Sequence, residues 1–150
     1  MPELVRIGHE PEYRTATIGR YSDGQFYAMV NGARRDDDRG RATREGIRWY
    51  VYLHLFDAVG HHRSSDISLL GVAEYLRGEL GRQADLRLTA LLDRLSQRTF
   101  CDITIRPFEV RYDGVTFGLV DESDDERGDW AELYPEGLGF GEPWDGTYST

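Results

Sequence analysis

The stretch Ile47-Arg48-Trp49-Tyr50-Val51-Tyr52-Leu53-His54-Leu55-Phe56-Asp57 decides the fold class. Ile47, Trp49, Val51, Leu53 and Leu55 fall on one side of an extended chain; Arg48, Tyr50, Tyr52, His54 and Phe56 fall on the other. Alternation sustained over that length matches the two-residue repeat of a strand and cannot be laid on a helix of about 3.6 residues per turn. The second side is aromatic and amphipathic rather than polar, so it is expected to be covered in part or to bind something.

Upstream of this strand, Tyr13 to Arg20 and Gln25 to Asn31 read as strands joined at Ser22-Asp23-Gly24. Asp-Gly between two such runs is a strong hairpin signal. Gly32 to Gly46 carries Arg34-Arg35-Asp36-Asp37-Asp38-Arg39, has no period and reads as a mobile loop. Downstream, a turn at Gly60 leads to a weaker strand, Arg63 to Leu69, that pairs back. The period then changes. Leu76, Leu80, Ala84, Leu88, Leu91, Leu92 and Leu95 recur at three- and four-residue spacing, a helical stripe interrupted by Gly78 and Gly81. One kinked helix or two consecutive helices fit equally, with the leucines against one face of the sheet.

The remaining strands are Phe100 to Arg106, Phe108 to Tyr112 and Val115 to Asp121, with a change of parity at Pro107 and a second hairpin signal at Asp113-Gly114. From Trp130 the chain is aperiodic but carries Trp130, Leu133, Tyr134, Leu138, Phe140, Trp144 and Tyr148. So many aromatics predict an ordered, irregular strap, packed over the Tyr50, Tyr52 and Phe56 face. The whole reads as an α+β fold in one domain of 150 residues. It has a meander-like antiparallel sheet and helix in a core of about residues 4–121, an acidic loop at 121–129 and an aromatic strap at 130–150.

Charge is unevenly placed. All 18 basic residues are arginine, which reads as the coding bias of a GC-rich genome of the actinobacterial kind rather than a binding adaptation. The net charge of -9 lies wholly in the last fifth of the chain, where ten acidic residues face Arg127 alone. Such a field repels nucleic acid and anionic lipid and attracts basic partners, or it is simply a solvated, solubilising loop. No apolar run is long enough to span a bilayer, and the N-terminus lacks the basic-then-apolar pattern of a signal peptide. One cysteine, Cys101, leaves no internal disulfide. Together these predict a cytoplasmic location.

Few residues carry a chemical pattern. Asp121, Ser123, Asp125, Arg127, Asp129 and Glu132 have the spacing of a calcium loop, but Glu126 stands where that loop needs glycine and a strand precedes it, so no metal is expected. His61 and His62 precede Ser64, Ser65 and Asp66 without a strand-to-helix nucleophile elbow, which leaves a polar turn as the simplest reading. Cys101 has no local basic neighbour to activate it. Residues 68–95 can be forced onto a helix-turn-helix, but Arg82, Arg87 and Arg94 are offset by Asp85 and Asp93, which disfavours direct nucleic-acid binding. There is no phosphate loop or dinucleotide fingerprint, and no cofactor is expected.

Several stretches taken together carry a resemblance: Arg6-Ile7-Gly8-His9-Glu10, Arg48-Trp49-Tyr50, Ser65-Asp66-Ile67, Gly114 to Glu122, Trp130-Ala131-Glu132-Leu133-Tyr134-Pro135, Gly137-Leu138-Gly139-Phe140 and Pro143-Trp144-Asp145-Gly146. The pattern resembles a family of small actinobacterial proteins labelled formate hydrogenlyase regulatory protein, over nearly the whole chain. The resemblance implies a small cytoplasmic protein that binds another macromolecule, and it brings no catalytic residues.

The leading expectation is a non-enzymatic regulatory or interaction domain. It would offer Asp121, Glu122, Asp124, Asp125, Glu126 and Asp129, with Trp130 and Trp144 as aromatic anchors, to a basic protein surface. A transcription-factor antagonist or a toxin-immunity protein would fit. A second class is a small-molecule binder or enzyme that uses the face of Arg48, Tyr50, Tyr52 and His54; a third is a self-associating structural module.

Overall fold

The computed structural model describes residues 1–35 and 46–150. Most of the loop expected between Gly32 and Gly46 lies outside the described residues.

The strand that anchors the reading is real and central. Strands β2 (Ile18–Tyr21), β3 (Gly24–Ala33), β4 (Arg48–Phe56) and β5 (His62–Val72) form an antiparallel meander, and β6 (Thr99–Phe100) joins it beside β2. Both faces of β4 are buried because both are covered, which is why neither side of its alternation is fully polar. Tyr52 lies opposite Met29 on β3 and Ile67 on β5; His54 lies opposite Tyr27 and Ser65.

The odd face of β4 carries the helix. Helix α1 (Gly78–Leu92) is one continuous element, not two. Gly78 does not break it because it stands at its first position, with φ of 61°. Ala84 and Leu92 on the helix, and Leu95 just after it, are buried; Phe26, Ala28, Leu53 and Leu55 meet Leu88, Leu91, Leu92 and Leu95 in one apolar cluster. The helix runs alongside β5, with Leu80 near Gly71, Arg87 bonded to Ser68 and Arg94 just past its end bonded to Asp66; the chain after it reaches the opposite edge, where β6 pairs with β2. Val72 and its neighbours belong to β5, so no helix-turn-helix exists here.

The even face is covered by a second, four-stranded antiparallel sheet. It consists of β8 (Phe108–Tyr112), β9 (Val115–Asp121), β10 (Ala131–Tyr134) and β11 (Leu138–Phe140), in the order β11-β10-β9-β8. Tyr112 and Val115 pair directly, and Asp113 and Gly114 between them both have positive φ, the backbone of a two-residue hairpin turn. The C-terminal segment is thus more regular than its sequence suggests. Its first half supplies β10 and β11, and only Gly141 onward is an irregular strap, tied back by Gly139 to Ser149 and by Gly8 to Gly146. Strands this short leave no readable alternation, and their regularity comes from pairing, β10 with β9 and β11 with β10.

Two expected strands are rearranged. Phe100 to Arg106 is not continuous: β6 stays with the five-stranded sheet while β7 (Ile103–Ile105) pairs with β1 (Val5–Ile7). The break falls at Asp102, whose carboxylate accepts bonds from the Arg6 guanidinium at 2.7 Å and from the His9 backbone N–H at 2.7 Å. The parity change at Pro107 marks passage to the second sheet. Tyr13 to Thr17 is turn rather than strand, held by the Thr15 hydroxyl donating to the Gly8 carbonyl at 2.6 Å. Among the described residues, no helix is long and apolar enough to cross a membrane.

Candidate functional site

The Arg48, Tyr50, Tyr52 and His54 side of β4 is the floor of the interior between the two sheets. Tyr50 and Tyr52 are fully buried and His54 is 1% exposed. Phe117 meets Tyr50 and Tyr52 edge-on at 5.4 and 5.1 Å, and Phe108 meets His54 at 5.0 Å. The expected ligand face is therefore already filled by side chains of the second sheet. The sequence left open whether this face was covered or bound a ligand and expected the C-terminal strap as its cover; Phe108 and Phe117 of β8 and β9 take that place, more than fifty residues along the chain from the rings they meet.

The polar groups on this face are spent on structure. Asp113, in the β8–β9 turn, accepts from Arg35 Nη2 at 2.7 Å, from Arg48 Nε at 3.0 Å and from the Tyr50 hydroxyl at 2.9 Å. The Arg35 and Arg48 hydrogen bonds hold the Asp113 carboxyl well below the usual carboxylate range. This fastens the turn of one sheet to the end of the other. His54 Nδ1 and His62 Nε2 lie 2.6 and 2.8 Å from the Ser65 hydroxyl, so one serine bridges two imidazoles. Burial lowers the His54 pKa to about 3, with His62 adding to the effect. A neutral imidazole, a hydroxyl and a second imidazole resemble part of a nucleophilic relay. However, Asp66 projects to the helix side and pairs with Arg94 at 2.7 Å, so it does not complete one. His61 pairs with Asp57 instead, at 3.1 Å. Cys101 is half-buried, its thiol 3.7 Å from the Thr99 carbonyl. On the helix side, a cleft of about 460 Å³ opens between β5 and the end of α1, lined by Leu53, Leu55, Ser64, Asp66 and Arg94 among others.

The acidic segment sits at the other end of the second sheet, in the β9–β10 connection. Asp121, Asp124, Asp125, Glu126 and Asp129 are all exposed. The loop is folded rather than loose. Asp124 and Gly128 form an isolated bridge, and the Asp124 carboxylate accepts from the Arg127 guanidinium at 2.9 Å. Asp121 accepts from the Ser123 N–H at 2.9 Å, and Asp129 pairs with the N-terminal amine of Met1 at 2.7 Å. Asp125 and Glu126 project from the tip, and neither side chain has a partner among the described residues. Glu122 and Glu132 both accept from the Tyr134 hydroxyl, at 3.0 and 3.2 Å. The calcium-like spacing does not converge: among the described residues no three His, Cys, Asp or Glu side chains gather to hold a metal ion.

The two expected aromatic anchors are half-buried. Trp130 lies flat on Gly139 and Gly141, close enough that a Cβ on Gly139 would fall 2.1 Å from its ring. Trp144 packs on the core between the sheets. A carboxylate that sequence reading passed over is the most buried one in this region: Glu136 takes a hydrogen bond from the Tyr52 hydroxyl inside the protein. Its place in a turn beside Pro135 and Gly137 gave no sign of burial.

No protein-family model matches the chain, and no curated protein or solved structure is detectably similar to it.

Proposed function

We propose that this protein is a non-enzymatic binding module that presents the β9–β10 acidic loop to a basic protein surface. The observation that carries this reading is the tip of that loop. Asp125 and Glu126 stand exposed, and without a side-chain partner among the described residues, on a turn whose own backbone is fastened by Asp124, Arg127, Asp129 and the N-terminal amine. A loop ordered before binding loses little conformational entropy when it docks, and its charges remain free for a partner. The burial of Tyr50, Tyr52 and His54, with the half-buried Arg48 engaged by Asp113 and Tyr50, favours this over a ligand site on that face. A regulatory role, whether opposing a transcription factor or covering a basic toxin site, belongs to the same proposal, as does the likeness to the formate hydrogenlyase regulatory family and a cytoplasmic setting.

The test is affinity capture from a lysate of the source organism at low and high ionic strength. The wild-type chain is compared with the double variant Asp125→Asn/Glu126→Gln, which removes the free charges and leaves the turn bonds intact. A stoichiometric basic partner, lost at high salt and weakened at least tenfold in the variant, is the expected result. A partner that binds equally at both salt concentrations, or none at all, overturns the reading.

Self-association has one observation of its own. Leu69, Val72 and Tyr75 are exposed apolar residues close together in the chain, near the end of the β5 edge strand. Sedimentation of the pure protein across a concentration series decides whether that edge pairs with a second copy.

A further inference from the structure

Glu136 lies in the turn between β10 and β11, where a carboxylate would ordinarily face water, yet only 8% of the residue is exposed. Its side chain reaches the five-stranded sheet. The Tyr52 hydroxyl of β4 donates to Oε1. Tyr27 of β3, whose ring stacks on Tyr52 at 6.5 Å, is held protonated by its burial and by the nearby Glu136 carboxyl. Oε2 of Glu136 and the Tyr27 hydroxyl are both buried and have no hydrogen-bond partner of their own among the described residues. The cation that acts on this carboxyl is Arg14, from the segment before β2, but its Nη1 donates to the backbone carbonyl of Glu136 at 3.3 Å rather than to the carboxylate. Tyr148, from the C-terminal strap, acts on Tyr27. His54, beside both tyrosine rings at 6.2 and 5.2 Å, is held neutral by burial.

A charge in such surroundings loses its hydration and recovers little of it. A proton on Oε2 changes the balance: the acid becomes a donor, and the Tyr27 hydroxyl beside it can accept. The mechanical setting matters as much. Glu136 closes an arm that begins at the acidic loop, since β10 runs directly from that loop to the turn. The same turn is closed by the Gly137 N–H donating to the Leu133 carbonyl at 2.8 Å.

We infer that Glu136 is a proton-operated latch: protonated, it fastens the β10–β11 turn between Tyr27 and Tyr52; ionised, it leaves the core and loosens β10 together with the acidic loop at its far end. The latch is a property of the isolated chain; only its consequence for partner binding rests on the proposed function. Burial raises the Glu136 pKa from 4.5 to about 8, so the latch works close to neutral pH rather than in acid.

The test uses the full chain with carboxyl-labelled glutamate, followed by NMR from pH 4 to 10. One side-chain carboxyl resonance is expected to titrate near pH 8 and to be missing in Glu136→Gln. The backbone amides of Leu133, Gly137, Leu138 and residues 121–130 should move with the same midpoint in the wild type and stay still in the variant. Tyr52→Phe, which removes a donor to the ionised form, should raise the midpoint further. Titration of every glutamate in the ordinary carboxylate range overturns the inference, as does a midpoint near 8 that no amide of β10 or the loop follows. A chain that shows the titration and the amide shifts but captures no basic partner supports the latch and overturns only the proposed function.

Discussion

Asp113 shows how one residue joins two sheets. Its left-handed backbone, φ of 54°, makes the β8–β9 turn, and its carboxylate collects Arg35, Arg48 and Tyr50 from the end of the larger sheet. Asp113→Asn keeps a side chain that tolerates this backbone but removes the charge. It should cost about 1–2 kcal/mol in chemical denaturation, because two guanidinium groups lose their anionic acceptor and the Tyr50 hydroxyl keeps only a weaker one. The sequence showed Asp113 as a turn residue through its Asp-Gly pair. It did not show the second role, because Arg35 and Arg48 lie 78 and 65 residues away along the chain.

At the scale of the elements, two glycines make opposite predictions. Gly81 lies in the first turn of α1, and a Cβ there would come no closer than 3.6 Å to the Leu76 carbonyl oxygen, an ordinary contact. Gly81→Ala should therefore stabilise the protein by about 0.5–1 kcal/mol, from the smaller conformational freedom of the unfolded chain, seen as a higher thermal midpoint. Gly139 in β11 is the reverse. Trp130 occupies the space a Cβ would need, so Gly139→Ala should destabilise by about 2 kcal/mol and change the tryptophan fluorescence. The helix was legible because its leucine stripe spans several turns. The β10–β11 hairpin was not, because three- and four-residue strands carry too few positions for a period to emerge.

For the molecule as a whole, two groups buried between the sheets set the pH dependence of stability from opposite sides. His54 takes up a proton near pH 6.5 when unfolded but resists it to about 3 when folded, so its contribution is lost as pH falls below about 6.5. Glu136 releases its proton near 4.5 when unfolded but keeps it to about 8 when folded; its contribution is complete below 4.5 and is lost as pH rises to 8. The two slopes oppose each other between pH 4.5 and 6.5. Denaturant midpoints should accordingly be highest in that window and fall on both sides. Glu136→Gln should abolish the alkaline fall and leave the acid one, which His54 governs.

The sequence by itself determined the α+β class, the central strand and the alternation of its two faces, the position of the helix, both hairpin turns and the gathering of negative charge at 121–129. Each of these is a local signal, a period, a turn dipeptide or a run of like charge, readable within a dozen or so neighbouring residues. The tertiary structure alone decided that the C-terminal aromatics finish a second sheet, that the Tyr50 and Tyr52 face is interior, and that Glu136 enters the core while Asp125 and Glu126 stay outside. All three depend on which distant segments meet. Burial, and with it the hydration of a charge, belongs to that packing and leaves no mark on the residues either side.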